Sequence, residues 1–143
     1  HADWVSVLIG INDVWRLYRN RADEAVPLPE YEATLRALVT ETQQQSSARL
    51  ILMSPYMIEP DMTHPMRSHM DRCGRVVQAV ANECAALFVP VQQAFDEVLT
   101  CSAPEDWSHD QIHPNQAGHA VIALAWLRAV GIEMQAGAES GNR

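Results

Sequence analysis

Two short polar segments hold the residues of this sequence that could do chemistry. The first is Gly10-Ile11-Asn12-Asp13, which follows an apolar run. Glycine permits an abrupt exit from a strand, and the side-chain amide of Asn12 is a neutral donor suited to a developing oxyanion. Asn and Asp also commonly form a turn where a strand ends, and taken alone this segment favours that simpler interpretation.

The second segment, Asp110-Gln111-Ile112-His113-Pro114, places a carboxylate three residues before a histidine. In a turn, Asp110 can bind the near ring nitrogen of His113, which fixes the tautomer and leaves the far nitrogen to act as a base. An acidic residue that complements a helix dipole, beside an incidental histidine, is the alternative. We expect Pro114 to begin the following helix and to hold His113 at its N-terminal end.

The same segment also raises the question of a metal site. His109 and His113 are four residues apart with Asp110 between them, a spacing that zinc favours on a regular helix. Pro114 argues against a helix that spans both histidines, and the cysteines lie on separate predicted elements. The sequence therefore predicts no metal site and no cofactor.

The pattern of apolar residues places both segments in an α/β fold. Short apolar runs predict strands buried on both faces, and longer segments with apolar residues at helical spacing predict helices. The predicted strands are 5–9, 50–53 and 87–91, and the predicted helices are 30–45, 66–87, 92–99 and 114–130. Pro90 suggests that the last strand is an edge strand. This order indicates a parallel sheet covered by helices, with the working residues at its carboxyl edge.

The composition and charge of the chain limit the kinds of molecule that it is expected to bind. The chain has 143 residues and a formal net charge of −8, and all 10 of its basic residues are arginine. An acidic chain without a basic run lacks the electrostatic footprint for nucleic acid or an anionic membrane, and no apolar stretch is long enough to cross a membrane. Its 3 cysteines include no Cys-x-x-Cys pair and suit a reducing compartment. The sequence therefore predicts a cytoplasmic location and neither a nucleic-acid nor a membrane partner.

Taken together, the two polar segments resemble the Asn block and the His block of the SGNH, or GDSL-type, hydrolases. These are α/β esterases named for a Ser, a Gly, an Asn and a His. Further segments look like the branch that contains bacterial acetylxylan esterases: 9–15, 65–67, 70–71, 74–77 and 113–119. The resemblance implies a three-layer α/β/α, flavodoxin-like sheet. It also implies that Asn12 contributes to an oxyanion hole and that Asp110 orients the base His113.

The sequence departs from that family in one respect. The blocks that carry the nucleophilic Ser and the Gly precede the Asn block in the family, and nothing here corresponds to them. Residues 1–134 are therefore expected to be the C-terminal portion of a single SGNH domain that lacks its first strands, and residues 135–143 a frayed tail. We interpret Ser54 as a turn residue and Ser108 as a local hydrogen-bonding residue rather than as the nucleophile.

The resemblance implies hydrolysis of short-chain esters, acetyl esters first, on xylo-oligosaccharides or other carbohydrates through an acyl-enzyme. A lysophospholipase-like or thioesterase-like activity and a non-catalytic module without the nucleophile are the alternatives. The expected partner is a small-molecule or oligosaccharide ester, and a homo-oligomeric state is left open. Trp15, Tyr56 and Trp107 follow strands or precede His113, where aromatic side chains suit substrate binding, with ordinary packing as the alternative for each.

Overall fold

The computed structural model describes residues 2–132, and within them the apolar runs form a parallel sheet of 3 strands. The strands are β1 (Trp4–Val7), β2 (Arg49–Met53) and β3 (Leu87–Val89), in the order β1-β2-β3. β2 pairs on both sides, with Leu50 opposite Val5 of β1 and Ile51 opposite Leu87 of β3. The predicted α/β class and the parallel sheet are confirmed.

Helices join the strands and cover the sheet. They are α1 (Ile11–Leu17), α2 (Leu28–Gln45), α3 (Pro65–Glu83), α4 (Val91–Leu99) and α5 (Gln116–Ala129). Short 3-10 helices span Ala22–Glu24 and Pro104–Asp106. The predicted domain end at 134 and the predicted tail, 135–143, lie outside the described residues.

The middle strand divides the core into two apolar clusters, because alternate side chains of a strand point to opposite faces of a sheet. In the first cluster, Leu50 and Leu52 of β2 pack with side chains of α2 and α3. In the second cluster, Ile51 and Met53 pack with side chains of α4 and α5. The sheet therefore has helices on both faces, which is the expected three-layer arrangement.

Several elements differ from their predicted bounds for local reasons. The helix α1, Ile11–Leu17, is absent from the predicted elements because a segment of 7 residues is too short to show a clear helical period. The helix α3 ends at Glu83, since the chain turns into β3 through Ala85, whose φ is 54°. The expectation that Pro114 begins α5 is wrong, because Asn115 is the N-cap of that helix.

The strand β1 is less buried than the sequence predicts. Its residues alternate between exposed and half-buried. Trp4 is 40% exposed, and Ile9, which lies in the predicted strand but beyond the end of β1, is 41% exposed. The reason is that β1 lies at one end of the strand order and pairs only with β2 within residues 2–132. An apolar strand with an unpaired edge is a surface on which another chain can pair.

We therefore expect the isolated 143-residue chain to associate through β1. Sedimentation velocity at increasing concentration should show a dimer or a larger species. Trp4→Lys places a charge on the edge and should weaken the association. Leu38→Lys, at a similarly exposed apolar position on α2, should leave it unchanged. A monomer at every concentration would contradict this expectation.

Candidate active site

The two polar segments that the sequence analysis singled out meet the loop after β2 beside one apolar cluster. Val14 of α1, Met57 of the loop after β2 and Ile112 beside His113 are all buried in the cluster that α2 and α3 line. The backbone N–H of Ile58 also donates to the carbonyl of Gln111, with a distance of 2.8 Å. The loops that leave β1 and β2 and the loop that precedes α5 are therefore brought together, as expected for the carboxyl edge of a parallel sheet.

Asp110 and His113 make the contact that their spacing predicts. Oδ2 of Asp110 lies 2.6 Å from Nδ1 of His113, and Oδ1 accepts the backbone N–H of His113 at 2.8 Å. The other ring nitrogen, Nε2, makes no hydrogen bond to any residue within 2–132, and the histidine side chain is 76% exposed. A histidine that serves as a general base has this arrangement, with a carboxylate bound to Nδ1 and with Nε2 free to accept a proton.

The electrostatics of this loop keep Asp110 charged. Partial desolvation raises the pKa of its carboxyl, but hydrogen bonds from the His113 ring and from the N–H groups of His113 and Ile112 outweigh it. They hold the pKa well below the ordinary value of 3.8. The folded-state pKa is thus lower than the unfolded one. The resulting stabilisation is complete above the unfolded value and is lost as the pH falls through the folded one.

Neither serine that the sequence analysis weighed as a nucleophile is available for that role. Ser54 is buried, and its Oγ accepts the backbone N–H of Gln92 at 3.1 Å. Ser108 is also buried, and its hydroxyl donates to the carbonyl of His113 at 2.8 Å. Ser54 thus joins the end of β2 to the start of α4, and Ser108 makes the local hydrogen bonds that the sequence predicts.

Two residues that the sequence analysis missed fix the start of α5 beside His113. Oδ1 of Asn115 accepts the N–H of Gly118 at 3.0 Å, and Nδ2 donates to the carbonyl of Asp106 at 2.9 Å. A Cβ on Gly118 would lie only 2.6 Å from the carbonyl oxygen of Trp107. The signal for this cap was present, since Asn is among the residues preferred at a helix N-cap.

Gly118→Ala should therefore destabilise the chain by about 1–3 kcal/mol, the range for overpacking a close contact. Gly74→Ala is the matched control, because a Cβ at that helical position would meet Ser54 at an ordinary 3.7 Å. Replacing a helical glycine with alanine should add about 0.5–1 kcal/mol of stability there. Urea unfolding of both variants measures the difference. Equal stability of the two would show that α5 does not pack on the Trp107 carbonyl as described.

Asn12 lies in the first turn of α1, two residues after the glycine that allows the chain to turn into this helix. Gly10 has a φ of 123°, a conformation that favours glycine, and it is the N-cap of α1. A Cβ there would lie 3.1 Å from Oη of Tyr31, whose hydroxyl donates to the carbonyl of Ile9. Asn12 is exposed, and within residues 2–132 its side-chain amide makes no hydrogen bond. The structure therefore has no Asx turn at this position.

The aromatic residues proposed as substrate contacts differ in exposure. Trp15 is half-buried against the first cluster, and the guanidinium carbon of Arg19 lies 5.9 Å from the centre of its ring. Part of its ring therefore stays accessible on α1, the helix that carries Asn12. We retain Trp15 as a candidate contact.

Tyr56 and Trp107 are engaged in packing. Tyr56 is 7% exposed, its ring centre lies 4.7 Å from that of Phe95, and burial raises its pKa to about 12. Trp107 packs against the second cluster, and its indole N–H donates to Oγ of Ser102 at 2.8 Å. For these two residues the structure favours the packing alternative, and we leave them out of the proposed site.

A buried arginine, also missed, holds the loop that follows β2. The side chain of Arg67 is 2% exposed, and it pairs with Asp71 at 2.9 Å and with Asp96 at 2.8 Å. Its Nη1 donates to the carbonyl of Glu59 at 2.6 Å. Burial opposes the charge on Arg67, but the two carboxylates outweigh burial and raise its pKa. The guanidinium therefore remains charged inside the fold.

Gln92 extends this network to the same loop. Its Oε1 accepts the N–H of Met57 at 2.8 Å, and its Nε2 donates both to the carbonyl of Met57 and to Asp96. Met57 is thus held through both of its backbone polar groups. The segment that contacts Gln111 is therefore fixed to α3 and α4.

The described part of the chain contains neither a candidate metal site nor a helix that could span a membrane. Within residues 2–132 no group of three His, Cys, Asp or Glu side chains could hold a metal ion, and no helix is long and apolar enough to cross a membrane. Cys73, Cys84 and Cys101 are unpaired there. The cytoplasmic location stays a prediction, and the oligomeric state stays open.

Comparison with known proteins assigns the chain to a protein family. The GDSL-like lipase/acylhydrolase family matches residues 1–121. An acetylxylan esterase of Geobacillus stearothermophilus is 49% identical over 133 residues, which cover 92% of this chain and 60% of that protein. Its crystal structure matches with a TM-score of 0.88. An α/β hydrolase from the metagenome of Lake Arreo, Spain, is 44% identical over 90% of this chain and 60% of its own, with a TM-score of 0.86.

The chain thus spans about 60% of the length of the curated relative that it matches. Solved structures of the Geobacillus enzyme include variants described as catalytic mutants, in which a Ser, an Asp or a His is replaced by Ala. The Asp and the His of those variants are three positions apart.

Proposed function

Because the chain belongs to the GDSL-like lipase/acylhydrolase family, we propose that the whole protein is a serine esterase that removes short acyl groups, acetyl first, from xylo-oligosaccharides or other carbohydrates. The observation that carries this proposal is the 2.6 Å contact between Asp110 and Nδ1 of His113, with Nε2 open. The identity with an acetylxylan esterase supports the substrate class. The matching three-residue spacing in its catalytic mutants supports Asp110 and His113.

In the proposed reaction, Nε2 of His113 takes the proton of a serine hydroxyl as its oxygen attacks the ester carbonyl. Asp110 keeps the ring in the required tautomer and stabilises the cation that forms. The tetrahedral intermediate then collapses, the alcohol leaves with the proton of His113, and water activated by the same nitrogen releases the acid. Ser54 and Ser108 are buried and bonded elsewhere. Neither of these serines is therefore the proposed nucleophile. We place the nucleophile in a part of the whole protein outside the 143 residues, a proposal supported by the longer relative, which has a catalytic Ser variant and of which this chain covers 60%.

Asn12 is proposed as an oxyanion-hole donor. Its amide is exposed and free of other hydrogen bonds in the described structure, and its helix packs through Val14 on the cluster that contains Ile112. A neutral NH₂ group placed on a rigid helix can stabilise charge on a carbonyl oxygen without reorganising.

For the whole protein, Asn12→Ala is expected to lower kcat by about 10²–10³-fold, because this donor acts where charge develops in the transition state. The KM should change little. Steady-state kinetics on an acetyl ester measures both constants. Asn82→Ala, at an exposed position of α3, is the control and should leave both unchanged. A raised KM with an unchanged kcat would show that Asn12 only binds the substrate.

The substrate class is tested with a series of chromogenic esters and with acetylated xylo-oligosaccharide. The whole protein should prefer acetyl esters over longer acyl chains and should release acetate from the oligosaccharide. Preference for long acyl chains or thioesters would favour the lysophospholipase-like or thioesterase-like alternative. Failure to hydrolyse any ester would contradict the proposal.

A further inference from the structure

The loop that carries Asp110 and His113 is attached to the rest of the fold through Gln111, the residue that follows Asp110. Nε2 of Gln111 donates to Oε2 of Glu59 at 2.8 Å. The carbonyl of Gln111 accepts the backbone N–H of Ile58, also at 2.8 Å. Both partners belong to the loop after β2, so Gln111 joins the two loops through its side chain and its backbone.

The acceptor side of this contact is well fixed. Ile58 is fully buried in the second apolar cluster. The carbonyl of Glu59 accepts a hydrogen bond from Nη1 of the buried Arg67. Oε1 of Glu59 accepts the backbone N–H of Asp61 at 2.9 Å. With one carboxylate oxygen bound to Asp61, Oε2 is held in place for Gln111. The carboxylate is therefore a rigid anchor.

Gln111 itself needs to be held. Its φ of 69° lies in the left-handed region, which side-chain-bearing residues adopt at a cost. This conformation allows Oδ1 of Asp110 to accept the N–H groups of both Ile112 and His113. If Gln111 relaxed to a right-handed conformation, the His113 backbone and its ring would move relative to the Asp110 carboxylate.

We propose that the Glu59–Gln111 hydrogen bond positions His113 for catalysis by holding the turn in which Asp110 meets Nδ1. The inference rests on the proposed function for its catalytic consequence, whereas the orientation of the histidine is a property of the chain alone. Neither residue touches the reacting atoms, so both are positioning residues. The sites that they join lie 52 residues apart in sequence.

Two substitutions at position 111 isolate the side-chain contact. Gln111→Gly accepts the left-handed backbone without steric cost and removes the amide. Gln111→Asn keeps an amide and tolerates that backbone, but it is one methylene too short to span the same distance. Glu59→Ala removes the acceptor, whereas Glu59→Gln keeps an acceptor oxygen and should restore most of the effect.

In the whole protein, Gln111→Gly, Gln111→Asn and Glu59→Ala should lower kcat by roughly 10²-fold, the loss that follows a displacement of about 1 Å at a catalytic group. The KM should stay within about twofold, because substrate contacts are unchanged. Glu59→Gln should retain most of the kcat. Unchanged kcat values in all three loss variants would overturn the proposal.

A second readout does not depend on activity. Imidazole ¹⁵N shifts of His113 at about pH 9, where free imidazole is neutral, report which ring nitrogen carries the proton. The unaltered chain should show the Nδ1–H tautomer, and the three loss variants a mixture with Nε2–H. A retained Nδ1–H tautomer in those variants would overturn the positioning role even if stability fell. If the tautomer shifts as expected but no ester is hydrolysed by the unaltered whole protein, the proposed function fails and the positioning role stands.

Discussion

Replacing His113 with alanine in the whole protein is expected to reduce kcat for acetyl esters by about 10⁶-fold, as loss of the base of a serine hydrolase does. The reason is that no other described group can take the serine proton at this position. Asp110→Asn should cost about 10⁴-fold, because an amide no longer fixes the Nδ1–H tautomer. The double variant should lose no more than His113→Ala, since the two residues act as a unit.

His119→Ala is the control for this experiment. His119 is exposed on α5, a few residues from His113, and it takes no part in the proposed reaction. Its replacement should leave kcat and KM unchanged. A loss below about tenfold for His113→Ala would contradict its assignment as the general base.

Arg67→Met is expected to lower the free energy of unfolding by about 3 kcal/mol, at the lower end of the range for breaking a buried ion pair. The substitution leaves Asp71 and Asp96 without their cation and the Glu59 carbonyl without its donor. The two carboxylates keep some contact with solvent, which limits the loss. Urea unfolding of the chain, followed by circular dichroism, measures the change.

The matched control is Arg36→Met. Arg36 also pairs with two carboxylates, Glu32 and Glu83, but its side chain is 39% exposed. Solvent screens exposed pairs of this kind, so Arg36→Met should change the free energy of unfolding much less than Arg67→Met does. Similar losses for the two substitutions would show that burial of Arg67 does not make its network more important than a surface pair.

The parts of this fold that follow from local patterns can be predicted from the sequence. The apolar runs locate the three described strands to within a few residues, and they match best at β2, which is buried on both faces. The Asp-x-x-His spacing predicts the Asp110–His113 contact, since a tight turn can bring residues three positions apart into contact.

What could not be predicted depends on partners far away in sequence. The exposure of β1 is set by which strands lie beside it, and no pattern within β1 reports its neighbours. The Glu59–Gln111 contact joins loops whose approach follows only from the assembled sheet. Arg67 is an intermediate case. It lies three residues before the buried Met70 and so on the same face of α3, a local signal of burial, but its carboxylate partner Asp96 lies on another helix.

Labelling with a serine-directed fluorophosphonate tests most directly whether His113 activates a serine of the whole protein. The whole protein should be labelled at one serine, its His113→Ala variant far more slowly, and the 143-residue chain alone not at all. Labelling of the His113→Ala variant at the unaltered rate, or labelling of the chain alone at Ser54 or Ser108, would contradict the proposed mechanism.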